Sequence, residues 1–292
     1  IVNGVWRVSQ NGDKYRYAWA SVESDQPITG LTFNGATNSD LPASPVLLQN
    51  TPGGFVDATA ASGLAIPILC QTVAAADFDN DMHQDIIIGC NGGATNTPNR
   101  LYRNLGNGTF ELVADAGGAA GAVGAAVADG VGTTESVVLA DYDVDGFVDA
   151  LFTNGNNMRP RNLGGPKQLF RNLGNGNNWI ELDLDGVASN RDGIGSVIDV
   201  TAGGKTQRRW ADGGYHRWSQ NHRRIHVGLA GNATADVAIT WPDGTQDYHA
   251  GVVANALYRA TQGGPLTVLI ARDTDSDGDG VEDSEEAIYG TN

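Results

Sequence analysis

The sequence predicts an all-β protein, and three observations support this. Forty glycines among 292 residues, with few long helical patterns, indicate many turns between short strands. Runs such as Trp179–Leu184 alternate apolar and polar side chains, as half-buried strands do. One phrase, a strand that runs into a Gly/Asn turn, occurs at residues 47–55, 101–110 and 169–176. We therefore expect a repeated β architecture.

The charge balance excludes one class of partner. The chain has 34 acidic and 18 basic residues, a formal net charge of −16. Because phosphates would be repelled, we expect no nucleic-acid partner.

No apolar run reaches the roughly 18 residues that a membrane helix needs, so we expect no membrane span. The chain begins at Ile1 without methionine, which suggests a processed or partial product.

Residues 141–149, loop B, place carboxylates at alternate positions before Gly146. This spacing suits Ca²⁺, a hard cation that takes six to eight oxygen ligands. The alternative is a solvated acidic turn. The candidate ligands in loop B are Asp141, Asp143, Asp145, the Phe147 carbonyl and Asp149.

Residues 77–85, loop A, repeat the pattern with one departure, because Met82 stands where loop B has glycine. Methionine at positive φ is strained by about 1 kcal/mol. Either the turn differs there or the metal site is weaker. The candidate ligands in loop A are Asp77, Asp79, Asp81, His83 and Asp85.

Residues 275–286, loop C, fit the twelve-residue EF-type calcium loop, with Gly280 at its sixth position. The alternative is a solvated acidic tail. Loop C also resembles thrombospondin type 3 calcium repeats. Its candidate ligands are Asp275, Asp277, Asp279, the Val281 carbonyl, Asp283 and Glu286.

The repeated phrase and loops A and B together resemble FG-GAP or VCBS repeats, whose calcium loop is matched in full by loop B. The resemblance implies that each repeat is a β-propeller blade. Residues 47–178 contain two full units and a fragment, whereas a closed propeller takes four to eight blades. We therefore expect an incomplete propeller whose sheet edges are covered by residues 1–46, by the C-terminal domain or by another subunit.

Residues 178–260 resemble the ASPIC and UnbV domain, which follows FG-GAP repeats in cartilage acidic protein-like chains. The resemblance depends on Ser189–Gly195 and Trp241–Gly244, and His216–Trp218 lengthens the usual link. The strand-rich alternation suggests a β-sandwich. The predicted domains are an N-terminal hairpin and linker at 1–46, repeats at 47–177, the ASPIC/UnbV-like domain at 178–264 and a calcium-loop tail at 265–292.

Two local predictions concern strand pairs. Val5–Gln10 and Tyr15–Val22 flank Asn11–Gly12, which is typical of a hairpin. Cys70 and Cys90 come close together if residues 70–76 and 86–90 are the arms of one hairpin around loop A. A disulfide there would imply an oxidising compartment, and the alternative is two separate buried thiols. The Gly/Ala-rich residues 117–132 read as a connecting loop.

Three function hypotheses follow. The first is a secreted or cell-surface, calcium-binding structural or adhesion protein without an active site, which assembles with its own copies into a fibre through open strand edges. The second is a carbohydrate- or ligand-binding module of a larger secreted protein. The third is an enzyme whose calcium is incidental, which a deep pocket with converging histidine and carboxylate groups would support. In the second hypothesis a cluster of five arginines binds an acidic glycan; the alternative is that these arginines pair with the chain's own acidic residues. The five are Arg208, Arg209, Arg217, Arg223 and Arg224.

Overall fold

The computed structural model describes residues 7–10, 18–21, 45–68, 70–90, 98–114, 116, 133–155, 167–216 and 219–271. Its regular structure is almost entirely β, which confirms the predicted fold class. The chain divides into two compact units, residues 1–41 and 42–292. In the first, β1 (Arg7–Gln10) pairs antiparallel with β2 (Ala18–Ser21), as the hairpin prediction requires.

The first repeat forms a four-stranded antiparallel sheet whose strands lie side by side in chain order. This order is typical of a propeller blade. Its strands are β5 (Cys70–Ala76), β6 (Asp85–Cys90), β7 (Arg100–Asn104) and β8 (Phe110–Val113). Before it, β3 (Leu48–Thr51) and β4 (Gly54–Asp57) form a two-stranded sheet.

The second repeat forms a three-stranded antiparallel sheet of β9 (Thr133–Ala140), β10 (Asp149–Gly155) and β11 (Gln168–Phe170). A shared core joins the two repeats, with Ala74 and Ile87 from the first packed among Val137, Leu139 and Phe152 from the second. The described residues thus contain two blade-like sheets, fewer than a closed propeller needs.

The C-terminal half is a sandwich of two four-stranded sheets. Alternate side chains of both sheets, such as Ile180, Leu182, Ile198 and Val237, fill the core between them. One sheet has the order β17 (Ile225–Ala230), β12 (Asn178–Asp185), β20 (Ala256–Thr261) and β21 (Leu266–Ala271), and the other has the order β14 (Lys205–Trp210), β13 (Val197–Ala202), β18 (Thr234–Thr240) and β19 (Gln246–Val253). A separate two-stranded sheet consists of β15 (Tyr215–His216) and β16 (Ser219–Gln220). The sandwich agrees with the prediction.

A disulfide joins Cys70 and Cys90, which are cross-strand partners at the open end of the β5–β6 hairpin. Loop A lies at the other end of the same hairpin. The two predicted arms coincide with β5 and β6, and the disulfide rather than the pair of free thiols is present. The hairpin that carries loop A is therefore covalently closed.

We expect replacement of both cysteines by serine to lower the free energy of unfolding by about 3 kcal/mol, because the bond closes a loop with a sequence separation of 20 residues. Urea denaturation of the double variant measures this. Reduction of the unaltered protein is the control and should give the same loss. Equal midpoints for the oxidised and reduced chains would contradict the prediction.

Two predicted segments lie outside the described residues, namely the connecting loop at 117–132 and loop C. No helix of the described part of the chain is long and apolar enough to cross a membrane.

Candidate metal centres

Loop B, between β9 and β10, is folded around its own carboxylates. The Asp141 carboxylate accepts hydrogen bonds from the backbone N–H groups of Asp145 and Gly146, at 3.1 and 2.7 Å. The Asp149 carboxylate accepts one from the Tyr142 N–H at 3.1 Å. The first and ninth residues therefore hold the turn closed, and the acidic side chains converge inside it.

Loop A, between β5 and β6, has the same hydrogen bonds at the same positions. Asp77 accepts from the N–H groups of Asp81 and Met82, at 3.0 and 2.9 Å. Asp85 accepts from the Phe78 N–H at 3.0 Å. The internal repeat seen in the sequence is thus a repeat of geometry, even where methionine replaces glycine.

Each loop gathers three carboxylates that can hold a metal ion. Within each group, one ligand oxygen from every residue lies within 4.8 Å of the others, and the groups are Asp77, Asp79 and Asp81 in loop A and Asp141, Asp143 and Asp149 in loop B. Oxygen-only sets of this kind suit Ca²⁺ or another hard cation. The residues present therefore fit the predicted ion.

The other predicted ligands have visible roles within the loops. Asp85 also accepts the Asn104 N–H at 2.7 Å, and Asp145 accepts the Phe147 N–H at 2.9 Å. The Nδ1 atom of His83 lies 2.9 Å from an Asp81 oxygen. Their part in binding an ion, and the whole of loop C, stay predictions.

An arginine from the repeated phrase reaches back to each loop, which the sequence did not reveal. Arg103 lies 2.7 Å from Asp79 through Nε, and Arg171 lies 2.6 Å from Asp143. Each also contacts the next acidic residue, Asp81 or Asp145, at 3.3 Å. The signal was present, since arginine occupies the same place in both copies of Leu-x-Arg-Asn-Leu-Gly-Asn-Gly. These arginines offset part of the carboxylate repulsion.

Burial and mutual repulsion raise the pKa values of the carboxyl groups at the first and ninth positions of both loops. The first residues, Asp77 and Asp141, have pKa values raised to about 7, chiefly by burial. The ninth residues, Asp85 and Asp149, have pKa values raised to about 6 for the same reason. Without a cation the loops therefore hold negative charge at a cost, which a bound cation would remove.

The seventh residue of each loop, His83 in loop A and Phe147 in loop B, leaves no space for a side chain at one glycine of the following Gly/Asn turn. The His83 ring lies against Gly106, and the Phe147 ring lies against Gly174. Both glycines have positive φ, 72° and 68°, and a side chain at either would collide with the ring. This contact explains why the same turn sequence follows both loops.

Comparison with known families agrees with this geometry. The family described as FG-GAP-like repeat matches residues 77–152, which begin at the first residue of loop A and include loop B. The family described as ASPIC and UnbV matches residues 186–266, which form most of the sandwich. This chain carries an FG-GAP-like repeat followed by an ASPIC and UnbV domain.

Curated relatives share the same region. Human cartilage acidic protein 1 is 27% identical over 217 residues, covering 73% of this chain and 30% of the human protein. The mouse protein of the same name is 27% identical over 214 residues, 72% of this chain and 30% of its own. The chain thus spans about a third of the length of these relatives.

The FG-GAP-like repeat is anchored in the ASPIC and UnbV domain by Met82. Its φ is +75° and that of Gly146 is +87°, so the turn does not differ from that of loop B, and the weaker metal site stays a prediction. The side chain is 8% exposed and belongs to the sandwich core. Lys205 of β14 donates to the Met82 carbonyl at 2.8 Å. Burial of the methionine side chain offsets the backbone strain.

Loop B contacts the same domain through Gly146, at φ +87°. Any Cβ at Gly146 would overlap the indole of Trp179, a fully buried residue of β12. The Gly146 carbonyl accepts hydrogen bonds from Asn80 Nδ2 at 2.9 Å and contacts His226 Nε2 at 3.0 Å. Both loops are therefore packed against each other and against the sandwich.

The arginine cluster pairs mainly with the chain's own acidic groups. Arg208 binds Asp199 through two bonds of 2.7 Å. Arg223 contacts Asp183 and Asp192, and Arg224 lies 3.5 Å from Glu181. The side chains of His216 and Arg217 lie outside the described residues. The observed pairs favour the internal-pairing interpretation over a free patch for acidic glycans.

The raised pKa values predict an unusual pH dependence for the calcium-free chain. Between the ordinary Asp value of 3.8 and about 7, the folded state holds more protons than the unfolded state. The free energy of unfolding should therefore fall as pH rises through this window. His226 acts in the opposite direction, because burial lowers its pKa from 6.5 to about 4, but the raised pKa values of four loop aspartates outweigh this one group.

Melting temperatures at pH 5 and pH 8, with and without calcium, measure the effect. We expect the chelated chain to melt several degrees lower at pH 8 than at pH 5, and we expect saturating calcium to abolish this loss, because an ion keeps the carboxylates ionised at both pH values. A chelated chain that is more stable at pH 8 would refute the assignment.

Proposed function

We propose that this chain is a calcium-binding, non-catalytic structural module of an extracellular protein. The observation that carries the proposal is the convergence of three carboxylates at each of two hairpin tips. In loop A these are Asp77, Asp79 and Asp81, and in loop B Asp141, Asp143 and Asp149. When bound, a calcium ion supplies positive charge and oxygen coordination that fix the turn.

The chain's own residues then transmit that rigidity. Loop A holds Met82 in the sandwich core, and loop B holds Gly146 against Trp179. Asn172 and Asn177, from the turn after the second repeat, donate to the Phe78 and Asp79 carbonyls at 2.7 and 2.8 Å. An ion that fixes the conformation of loops A and B would therefore also fix the packing of the repeats against the sandwich.

An extracellular setting is supported by two observations. The Cys70–Cys90 disulfide is of a kind that persists in oxidising compartments. The relatives are named cartilage acidic protein 1, a name that points to a tissue rich in extracellular material.

A non-catalytic role is supported by how the reactive groups are used. His226 Nε2 contacts the Gly146 carbonyl, and the Asp77 and Asp141 carboxylates accept backbone N–H groups. These histidine and carboxylate groups converge, as the enzyme hypothesis required, but each has a structural partner.

Titration of the calcium-free chain with Ca²⁺ by calorimetry tests the proposal. We expect Asp143→Asn to weaken one binding event at least tenfold, because loss of a residue that merely hydrogen-bonds to a metal ligand already costs about 10- to 100-fold in affinity. Asp243→Asn is the matched control, since Asp243 caps a sandwich turn by accepting the Thr245 N–H. Absence of binding heat, or Mg²⁺ binding as tightly as Ca²⁺, would disprove the calcium assignment.

Self-association belongs to the same proposal. The two-stranded sheet β3–β4 carries Leu48, Phe55 and Val56, each more than half exposed. Two strands alone are marginally stable, and such an edge suits strand addition by a second copy. Sedimentation velocity with calcium should show concentration-dependent association that Phe55→Ser weakens and the control Leu173→Ser, in an exposed turn, leaves intact. A monomer at all concentrations would exclude this part.

A further inference from the structure

A cleft of about 360 Å³ lies where the FG-GAP-like repeat meets the ASPIC and UnbV domain. The ends of β5 and β9 form one wall, and β14, β17 and Glu181 of β12 form the other. The volume is in the range of small-molecule sites, which often occur between domains. The function proposed above uses neither the volume nor the opening of this cleft.

Polar and apolar atoms contribute about equally to the lining of the cleft, and its acidic and basic side chains are nearly equal in number. Its lining includes four carboxylates and three guanidinium groups, which are Asp77, Asp141, Asp212, Glu181, Arg209, Arg223 and Arg224. The two histidines that line it, His222 and His226, have pKa values lowered chiefly by burial. The carboxylates disfavour an anionic ligand and the arginines disfavour a free cation, so a neutral ligand with many polar groups is favoured.

One polar atom in the cleft has no hydrogen bond. Glu181 is 2% exposed, and its Oε2 atom has no hydrogen-bond partner among the described residues, with Arg224 Nη1 at 3.5 Å. Buried polar atoms are nearly always hydrogen-bonded, so an orphan that faces a cavity indicates a missing partner. A ligand hydroxyl is such a partner, because it both donates and accepts.

An aromatic ring lies at the rim of the same cleft. Trp210, the last residue of β14, lines the cleft and is 60% exposed. An indole left in water beside convergent polar groups is an available stacking surface. The C–H face of a pyranose ring is apolar while its edge carries hydroxyl groups, so one sugar ring can use both the indole and the polar lining.

We propose that this cleft binds a neutral sugar ring, stacked on Trp210 with a hydroxyl group at Glu181. The proposal differs from an acidic-glycan patch, since Arg208, Arg223 and Arg224 already contact the chain's own carboxylates. It does not rest on the proposed calcium-dependent function, although Asp77 and Asp141 belong to both the cleft lining and the metal loops.

Saturation-transfer NMR and calorimetry on the full chain test the inference with neutral hexoses, N-acetylhexosamines and their disaccharides, and with glucuronate and a sulfated disaccharide as anionic probes. We expect at least one neutral sugar to bind, with transfer to its C–H protons. Trp210→Ala should weaken that sugar at least tenfold, as loss of a central aromatic contact does. Trp210→Phe should retain part of the affinity.

Tyr248→Ala is the matched control, because Tyr248 is 65% exposed on β19, the other edge strand of the same sheet. It should leave sugar affinity unchanged. Failure of every neutral sugar to bind, preference for the anionic probes, or equal affinity of Trp210→Ala and the unaltered chain would each overturn the inference. Calcium binding is measured in parallel, so loss of the sugar site and loss of the metal sites are separate results.

Discussion

Removal of calcium from the loaded chain should lower the free energy of unfolding by about 5 kcal/mol. An ion present at about 100 times its dissociation constant stabilises a folded protein by about 2.7 kcal/mol, and loops A and B contribute one site each. For a domain of this size the loss corresponds to a fall in melting temperature of roughly 10–20 °C. The physical cause is the cost of keeping carboxylates charged in these loops, where burial first and mutual repulsion second raise the pKa values of Asp77 and Asp141 to about 7.

Thermal unfolding followed by circular dichroism, with calcium and with excess chelator, measures this fall. The variant with Asp275→Asn and Asp277→Asn removes two candidate ligands of loop C, and the calcium effect should persist in it. Equal melting temperatures in calcium and chelator would show that the loops do not depend on an ion. A calcium effect that disappears with the loop C variant would place the stabilisation outside loops A and B.

Gly146→Ala should be the most damaging single methyl addition in the repeat. At Gly146 the new Cβ would overlap the buried Trp179 indole, and φ is +87°. Overpacking costs about 1–3 kcal/mol and the left-handed backbone about 1–2 kcal/mol, so we expect a loss of about 2–5 kcal/mol.

Gly108→Ala separates the two contributions. Gly108 has φ +88°, and nothing lies within 4 Å of its added Cβ. Only the backbone contribution applies there, so we expect a loss of about 1–2 kcal/mol. Urea denaturation of both variants provides the comparison. Equal losses would mean that the indole moves aside without cost and that the contact does not fix loop B.

Local features of this fold were predictable because they depend on neighbours in the chain. The arms proposed at 70–76 and 86–90 are β5 and β6, since an acidic loop between two apolar runs leaves one way to pair them. The disulfide follows from the same register. The sandwich followed from alternation within each strand and from motif order.

The junction could not be predicted, because its partners are far apart in sequence. The sequence indicated either a different turn or a weaker metal site at Met82, but not that its carbonyl binds Lys205 or that its side chain lies in the sandwich core. The opposition of Trp179 to Gly146 and the orphan atom of Glu181 likewise depend on packing between segments. Periodicity and spacing within one segment contain no information about such contacts.

The buried position of Met82 limits where this protein can be divided. A sequence boundary near residue 178 separates the regions that resemble the two families. A cut there would remove the Met82 side chain from the sandwich core and would leave Trp179 without its contact to Gly146. Recombination or engineering that exchanges one half alone would expose an unfilled core. The FG-GAP-like repeat and the ASPIC and UnbV domain therefore form one structural unit, and a graft onto another scaffold should transfer both together.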